Sequence, residues 1–302
     1  MKKVLLIINP SSGGEKAKEY EALAKEKLEI FFDTVQIRYT QKSGDAKKFA
    51  REAALEQYDS VIVMGGDGTV NEGISGLSEQ EYRPKFGFFP LGTVNDLARA
   101  LSIPLDPEEA IKNFSLNRTT KLDIGKINQD YFMNVVAVGT IPEAINDVDS
   151  EDKTKLGKFA YFFSGMKELL NTESHLFHLM IDNQEKEIKS STVLIGLTNS
   201  IGGFEQLLPE ARVNDGLLHL VYLKDQSLVD TVKSIPDLLK GVQDSTENIG
   251  YLAFKELRLS LVNPDESLTT NIDGDEGDAL PIDVRILPSH LTVYKGEAIT
   301  EE

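Results

Sequence analysis

The amino-acid sequence predicts an α/β domain followed by an all-β domain: an N-terminal three-layer unit on a parallel sheet, then an antiparallel β-sandwich. Strand and helix signals alternate through residue 122, which marks βαβ units and a parallel sheet. Beyond that point β-rich segments follow one another with few helical ones between them. The 302 residues give length for two cores. The expected division is 1–122 for the first domain, with a return of the chain to it at about 288–302, and 123–287 for the second.

The elements follow in order. Val4 to Ile8 is a short apolar run, read as a buried strand and stopped by Asn9-Pro10. A loop containing Gly13-Gly14 leads to a helical stretch from Glu15 to Glu29. Thr34 to Tyr39 is a second strand, Gly44 to Glu56 a helix and Ser60 to Met64 a third strand. Val70 to Leu77 reads as helix, Lys85 to Phe89 as a fourth strand, and a helix opens near Thr93 and runs through Leu101. In the second half, strands are expected at Asp123–Ile127, Tyr131–Val138, Leu176–Ile181, Thr192–Thr198, Leu217–Leu223, Leu252–Leu261, Ile282–Leu287 and Leu291–Tyr294. Its helical signals are Leu156–Leu170 and Leu228–Val242, and the polar run Asp147–Lys155 reads as a surface loop.

A net charge of −17 disfavours nucleic acid and broad adsorption to anionic lipid. One local exception is Lys153, Lys155, Lys158 and Lys167 around the aromatic run Phe159–Phe163, either an interfacial membrane contact or a helix packed on the β domain. The absence of cysteine removes disulfides, thiolate nucleophiles and zinc-thiolate sites. The apolar run after Lys2-Lys3 is too short for a secretory signal, and no stretch is long enough to span a bilayer. A cytoplasmic protein is the expectation.

The chemistry concentrates in Ser60–Gly73, SVIVMGGDGTVNEG. A buried strand breaks into Gly65-Gly66-Asp67-Gly68-Thr69, and a helix follows. Glycines let backbone N–H groups approach a polyphosphate, and a helix N-terminus adds free donors and a positive dipole end. Asp67 in such a turn suits a divalent cation between carboxylate and phosphate, which points to a Mg-nucleotide site. Asn9-Pro10-Ser11-Ser12-Gly13-Gly14, after the first strand, is a natural second wall or an ordinary turn. Pro90–Arg99, PLGTVNDLAR, places a hydroxyl, an amide and a carboxylate at another strand's carboxyl end, where ligands bind in parallel sheets. Thr93 there is equally suited to cap a helix. His175, His178, His219 and His290 match no metal or catalytic spacing.

These residues carry a resemblance. GGDGTVNE at Gly65–Glu72 with PLGTVNDLAR resembles the catalytic domain of the diacylglycerol and sphingosine kinase superfamily. Thr198–Leu218, Asn271–Gly277 and Lys155–Leu169 are similar to its soluble bacterial branch. The resemblance covers essentially the whole chain and implies an N-terminal domain of the NAD kinase type. It implies ATP held by Asn9, Pro10, Ser11, Ser12 and Gly13, by Thr40, by Gly66, Asp67, Gly68, Thr69, Val70, Asn71 and Glu72, and by Thr93. It further implies a structural Mg²⁺ on the Asp215 carboxylate and the carbonyls of Arg212 and Leu217, although Asn214-Asp215-Gly216 also reads as a hairpin turn.

Catalysis would fall to Asp67 and to a base in the C-terminal motif. That motif is usually Asp-Gly-Glu and here reads Asp273-Gly274-Asp275-Glu276, which puts Asp275 in the base position and leaves Glu276 as the alternative. The partner implied is a lipid alcohol at the membrane surface, diacylglycerol first, met by peripheral contact at the inner face. No nucleic acid is implied, and a homodimer is compatible. Two rivals stand beside this reading. NAD kinases share the GGDGT turn, and a nucleotide-binding regulator without a base would explain the Asp275 departure.

Overall fold

The computed structural model describes residues 1–14, 17–139, 174–202, 207–224 and 241–297. The basic aromatic segment around Phe159–Phe163, the loop Asp147–Lys155, the helix expected over Leu156–Leu170 and most of that over Leu228–Val242 lie outside these residues. The chain forms two compact units, Met1–Ile124 with Pro288–Glu302, and Gly125–Leu287.

The first unit is built from β1 (Lys3–Ile8), α1 (Ala17–Glu29), β2 (Thr34–Tyr39), α2 (Asp45–Leu55), β3 (Ser60–Gly65), α3 (Asp67–Leu77), β4 (Lys85–Pro90), α4 (Asp96–Ala100) and α5 (Pro107–Asn113). The strands lie in the order β2-β1-β3-β4, and every pairing among them is parallel. β3 is buried along its whole length, which is why it reads as a continuous apolar run rather than an alternating one. Val4, Leu6, Ile8, Ile62 and Met64 form one core with Ala24 and Leu28 of α1 and Ala110 and Ile111 of α5. Phe89, Phe114 and Tyr294 meet edge to face within that core.

Two helices differ from expectation. The helix placed at Thr93 begins at Asp96, with Asn95 left-handed at its N-cap. Asn95 is the reason: its carboxamide accepts from Gly92 N at 3.0 Å and donates to Gly92 O at 2.9 Å, closing a turn that delays the helix and leaves Thr93 exposed. α5 was not expected, although Pro107 opens it and Asp106 caps it by accepting from Glu109 N at 2.9 Å.

The second unit is antiparallel throughout. β5 (Thr119–Ile127) leads into it and pairs with β6 (Asp130–Phe132). β8 (His175–Ile181) joins β9 (Gln184–Ser190) and β13 (Glu256–Leu261), and β13 pairs with the start of β16 (Ile282–Tyr294). A second sheet runs β12-β11-β10-β7-β14-β15, from β7 (Val135–Gly139), β10 (Thr192–Gly196), β11 (Leu218–Leu223), β12 (Ile249–Phe254), β14 (Thr269–Ile272) and β15 (Asp275–Ala279). Phe177, Leu179, Leu257 and Leu259 share a core with Val136, Val138, Val193 and Leu220, which makes the unit a sandwich.

Four expected strands are divided or joined. Tyr131–Val138 is β6 and β7, parted at Met133-Asn134, where the Asp273 carboxylate takes the N–H groups of Met133, Asn134 and Val135. Leu252–Leu261 is β12 and β13 in different sheets, turning at Lys255, whose N–H and that of Glu256 go to Asp182. Ile282–Tyr294 is one strand, continuous through Pro288 and Ser289, and it passes from the second unit into the first. β9 and the β14–β15 hairpin were not expected, because QEKEIKS is almost wholly polar and the hairpin carries little apolar pattern.

α2 and α3 pack closely through Gly76, where a Cβ would lie 2.2 Å from Lys47 O and 2.9 Å from Ala50 Cβ. Gly76→Ala gains up to about 1 kcal/mol of helix propensity. It also forces the two helix backbones apart, so urea unfolding should show a net loss of about 1–3 kcal/mol. A variant more stable than the parent would contradict this packing.

Candidate functional site

Parallel pairing puts the carboxyl ends of β1, β2, β3 and β4 on one edge, so Asn9, Thr40, Gly66 and Gly92 emerge together. Gly65 lies against Thr69, where a Cβ would sit 2.7 Å from the Thr69 Cβ. Gly66 is the extended N-cap of α3 and donates its N–H to Ser12 Oγ at 3.2 Å. The first helical bond runs from Val70 N to Gly66 O, so the N–H groups of Gly68 and Thr69 precede the ladder and are not consumed by it. Gly68 is exposed and a Cβ there would meet nothing within 4 Å. This is an anion-accepting helix start with open space in front of it.

Asp67 ties this turn to the next one. Its Oδ2 accepts from Asn95 N at 2.9 Å, and a Cβ on Gly92 would come within 2.9 Å of the same oxygen. Gly66 and Gly92 touch at the backbone, since a Cβ on Gly66 would be 3.4 Å from Gly92 Cα. Burial pushes the Asp67 acid above the usual carboxylate range, the Asn95 N–H opposes that, and the neighbouring Asp96 charge adds to it.

The loop after β1 closes the other side. Asn9 donates from Nδ2 to Thr69 Oγ1 at 2.9 Å and accepts Ser11 N at 3.1 Å. Gly13 sits at φ +63 beside the Leu91 carbonyl. Glu72 caps α2, accepting Gly44 N at 2.8 Å, Ala46 N at 3.1 Å and Ser43 Oγ at 3.2 Å. A cavity of about 350 Å³ is lined by Asn9, Ser11, Thr40, Gly68, Thr69 and Glu72. Lys42 also lines it, a residue the sequence reading missed. Its signal was a lysine in Gln41-Lys42-Ser43-Gly44, just past Thr40 at the end of β2.

Pro10, Ser12, Gly13 and Gly66 stand on the adjoining turns and Thr93 on the turn after β4. The Val70 side chain is only 3% exposed and belongs to the core. Asn71 Oδ1 is buried with no hydrogen-bond partner. That orphan oxygen and the Asp67 carboxylate are hard donors on α3, the chemistry that a nucleotide-bound Mg²⁺ accepts.

In the second unit, Asp273 at φ +51 and Gly274 at φ +101 form a two-residue hairpin turn between Ile272 and its partner Asp275. Asn271 pairs with Glu276, so Asp275 and Glu276 project from opposite faces of the hairpin, and both are exposed. The Asp215 loop is closed by hydrogen bonds: Oδ2 accepts Arg212 N at 2.8 Å and Oδ1 accepts Leu217 N at 2.9 Å. His219, 3% exposed, bridges Asp215 Oδ2 at 3.1 Å and Tyr251 OH at 2.7 Å. The sequence reading passed over His219 because its tyrosine partner is remote in the chain. Burial raises the Asp215 acid, but the bonds from His219, Arg212 N and Leu217 N outweigh it and hold the group below its usual value. A carboxylate has about four lone-pair positions, so three bonds leave one that a hard cation could use. The donor set fits Mg²⁺ on those terms.

Known proteins resemble the chain over its full length. Residues 3–127 match the model of the diacylglycerol kinase catalytic domain, and residues 134–295 match that of the YegS C-terminal NAD kinase beta sandwich-like domain. A Streptococcus pneumoniae serotype 4 protein with a provisional lipid-kinase name is 39% identical, over 97% of this chain and 98% of its own. The diacylglycerol kinase of Bacillus subtilis is 35% identical, over 100% and 99%. The crystal structure of a Bacillus anthracis diacylglycerol kinase superposes with a TM-score of 0.80 at 26% identity, covering 99% of this chain and 98% of that one.

A lowered acid contributes stability that is present above its unfolded value, about 3.9, and lost as pH falls through the folded one. Asp215→Asn should therefore be less stable than the parent at pH 7, and the gap in urea midpoint should narrow below about pH 4. A gap independent of pH would contradict the bonding described for Asp215.

Proposed function

The chain belongs to the diacylglycerol kinase family of lipid kinases, and from that premise we propose that it transfers the γ-phosphoryl group of ATP to the free hydroxyl of diacylglycerol. The observation that carries the nucleotide half is the cavity of about 350 Å³ lined by Gly68 and Thr69, whose N–H groups the α3 ladder leaves unconsumed. Phosphoryl transfer asks a protein mainly for positioning and charge neutralisation. Asn9, Ser11, Thr40 and Thr69 offer polar groups for the nucleotide, and Lys42 offers a counter-charge to its phosphates. Pro10, Ser12, Gly13 and Gly66 shape the two turns that present those groups. Glu72 acts by holding the start of α2 as part of the wall and Val70 by anchoring α3 in the core, while Thr93 stands exposed on the turn after β4 with its hydroxyl available to the nucleotide.

Asp67 and Asn71 would hold the nucleotide's Mg²⁺, which when bound neutralises phosphate oxygens. Asp275 would take the acceptor's hydroxyl proton as that oxygen bonds to the γ-phosphorus, while ADP leaves with the electron pair of the broken P–O bond. Arg212, Asp215 and Leu217 would hold a second, structural Mg²⁺. Among the described residues no helix is long and apolar enough to cross a membrane, so we place the lipid encounter at the surface, by peripheral contact.

Asp67→Asn keeps an oxygen for the Asn95 N–H and removes only the charge. It should fold normally and lose about a hundredfold or more in kcat, roughly 3 kcal/mol of transition-state stabilisation. Near-normal turnover would take Asp67 out of the chemistry.

Asp275→Asn should lower kcat severely at an unchanged KM for ATP, Asp275→Glu should keep much of the activity, and Glu276→Gln should be mild. The opposite faces of the two side chains make this test decisive, and an inactive Glu276→Gln beside an active Asp275→Asn would move the base by one residue.

For the second metal, EDTA should lower the Tm of the parent and leave that of Asp215→Ala unchanged. An EDTA-insensitive parent would show that His219 and the backbone close the loop alone.

A further inference from the structure

Asp215 accepts three donors, and they divide unequally between its two oxygens. Oδ2 accepts Arg212 N at 2.8 Å and meets His219 Nε2 at 3.1 Å, while Oδ1 accepts Leu217 N at 2.9 Å. Each carboxylate oxygen carries two lone pairs, so Oδ2 is full and Oδ1 keeps one. His219 is what fills Oδ2. It is buried, and its ring stacks on that of Tyr251 with centroids 6.0 Å apart and planes 24° apart.

The imidazole is held from its other side as well. Nδ1 lies 2.7 Å from Tyr251 OH, and the two residues stand on the paired strands β11 and β12. A carboxylate only accepts, so a proton sits on Nε2 whether the ring is neutral or charged. In the neutral ring Nδ1 then accepts the Tyr251 hydroxyl proton. The donor aimed at Oδ2 is thus fixed by a buried side chain on a strand and not by the loop. That is more than the Asn214-Asp215-Gly216 turn requires, since the N–H groups of Arg212 and Leu217 already close it.

We propose that His219 is a positioning residue that restricts Asp215 to single-oxygen coordination and so makes this loop select Mg²⁺ over Ca²⁺. Mg²⁺ demands near-octahedral geometry, keeps several waters and needs few protein oxygens. Ca²⁺ takes about six to eight oxygens and often draws two of them from one carboxylate. With both lone pairs of Oδ2 engaged, Oδ1 binds alone, an arrangement that costs Ca²⁺ a ligand and Mg²⁺ none. Removing the Nε2 donor frees a lone pair on Oδ2 and opens the two-oxygen mode. This inference rests on the reading of Asp215 as a metal ligand and assigns the choice of ion to a residue outside the ligand set.

The test is calorimetric titration of Mg²⁺ and of Ca²⁺ into the full-length, metal-stripped, nucleotide-free protein. Asp215→Ala marks the heat that belongs to this loop. In His219→Leu the ratio of the Ca²⁺ Kd to the Mg²⁺ Kd should fall about tenfold, mainly through tighter Ca²⁺. His219→Gln keeps a side-chain N–H donor of similar reach and should restore most of the parent ratio. Tyr251→Phe leaves the ring stacked but unanchored at Nδ1, and should lower the ratio by less, about threefold. A merely structural role would weaken both ions together.

Affinities that move together in His219→Leu, leaving the ratio at the parent value, overturn the inference while the metal loop stands. If His219→Leu fails to fold, a Tyr251→Phe variant with the parent ratio overturns it in the same way. A His219→Gln variant as permissive to Ca²⁺ as His219→Leu overturns the assignment to the Nε2 donor. A parent that binds neither ion through Asp215 overturns the metal reading itself, and this inference falls with it.

Discussion

The hydrogen bond from Asn95 N to Asp67 Oδ2 fixes the geometry on which the proposed nucleotide site depends. It joins the turn after β3 to the turn after β4, and it does so only because Gly66 and Gly92 let the two backbones touch. Asn95 adds a second tie by closing its own turn on Gly92. With these turns locked, the free N–H groups at the start of α3 keep one direction. On the proposed function, binding a polyphosphate would need little rearrangement, as a preorganised site for a transferring phosphoryl group requires.

The bracing has a cost in stability, and its location is informative. Asp67 is held in a setting that raises its acid, and Asn71 and Asn134 bury carboxamide oxygens without donors. Each would be a fault in a protein selected for stability alone. They cluster instead on the glycine turn that faces the cavity and beside the hairpin that presents Asp275. Stability is recovered elsewhere, in the buried apolar runs Val4–Ile8 of β1 and Val61–Met64 of β3 and in the sandwich core around Phe177, Leu179 and Phe254.

Much of this was legible in the sequence because it rests on local pattern. The buried runs of β1 and β3 mark themselves, and Gly65–Thr69 announces its turn by composition. What was illegible depends on distant hydrogen bonds. Tyr131–Val138 looks like one strand until Asp273, about 140 residues away, takes its central N–H groups. Leu252–Leu261 looks like one strand until Asp182 turns it at Lys255. The alternation of apolar and polar residues is the same in either sheet of a sandwich, so periodicity cannot show a strand changing sheets. His219 was overlooked for the same reason, since Asp215 lies close in the chain but Tyr251 does not. Thr93 drew attention as a helix cap, and the side chain of Asn95 settled the start of α4 instead.

The central claim is that the glycine-turn cavity holds Mg-ATP and that the γ-phosphoryl group goes to a lipid hydroxyl. The most direct measurement follows label from γ-labelled ATP with diacylglycerol micelles and NAD present together as competing acceptors. The account predicts label in chloroform-extractable phosphatidic acid, dependent on both diacylglycerol and Mg²⁺. Label recovered in NADP, or ATP consumed with none in the lipid phase, would contradict it.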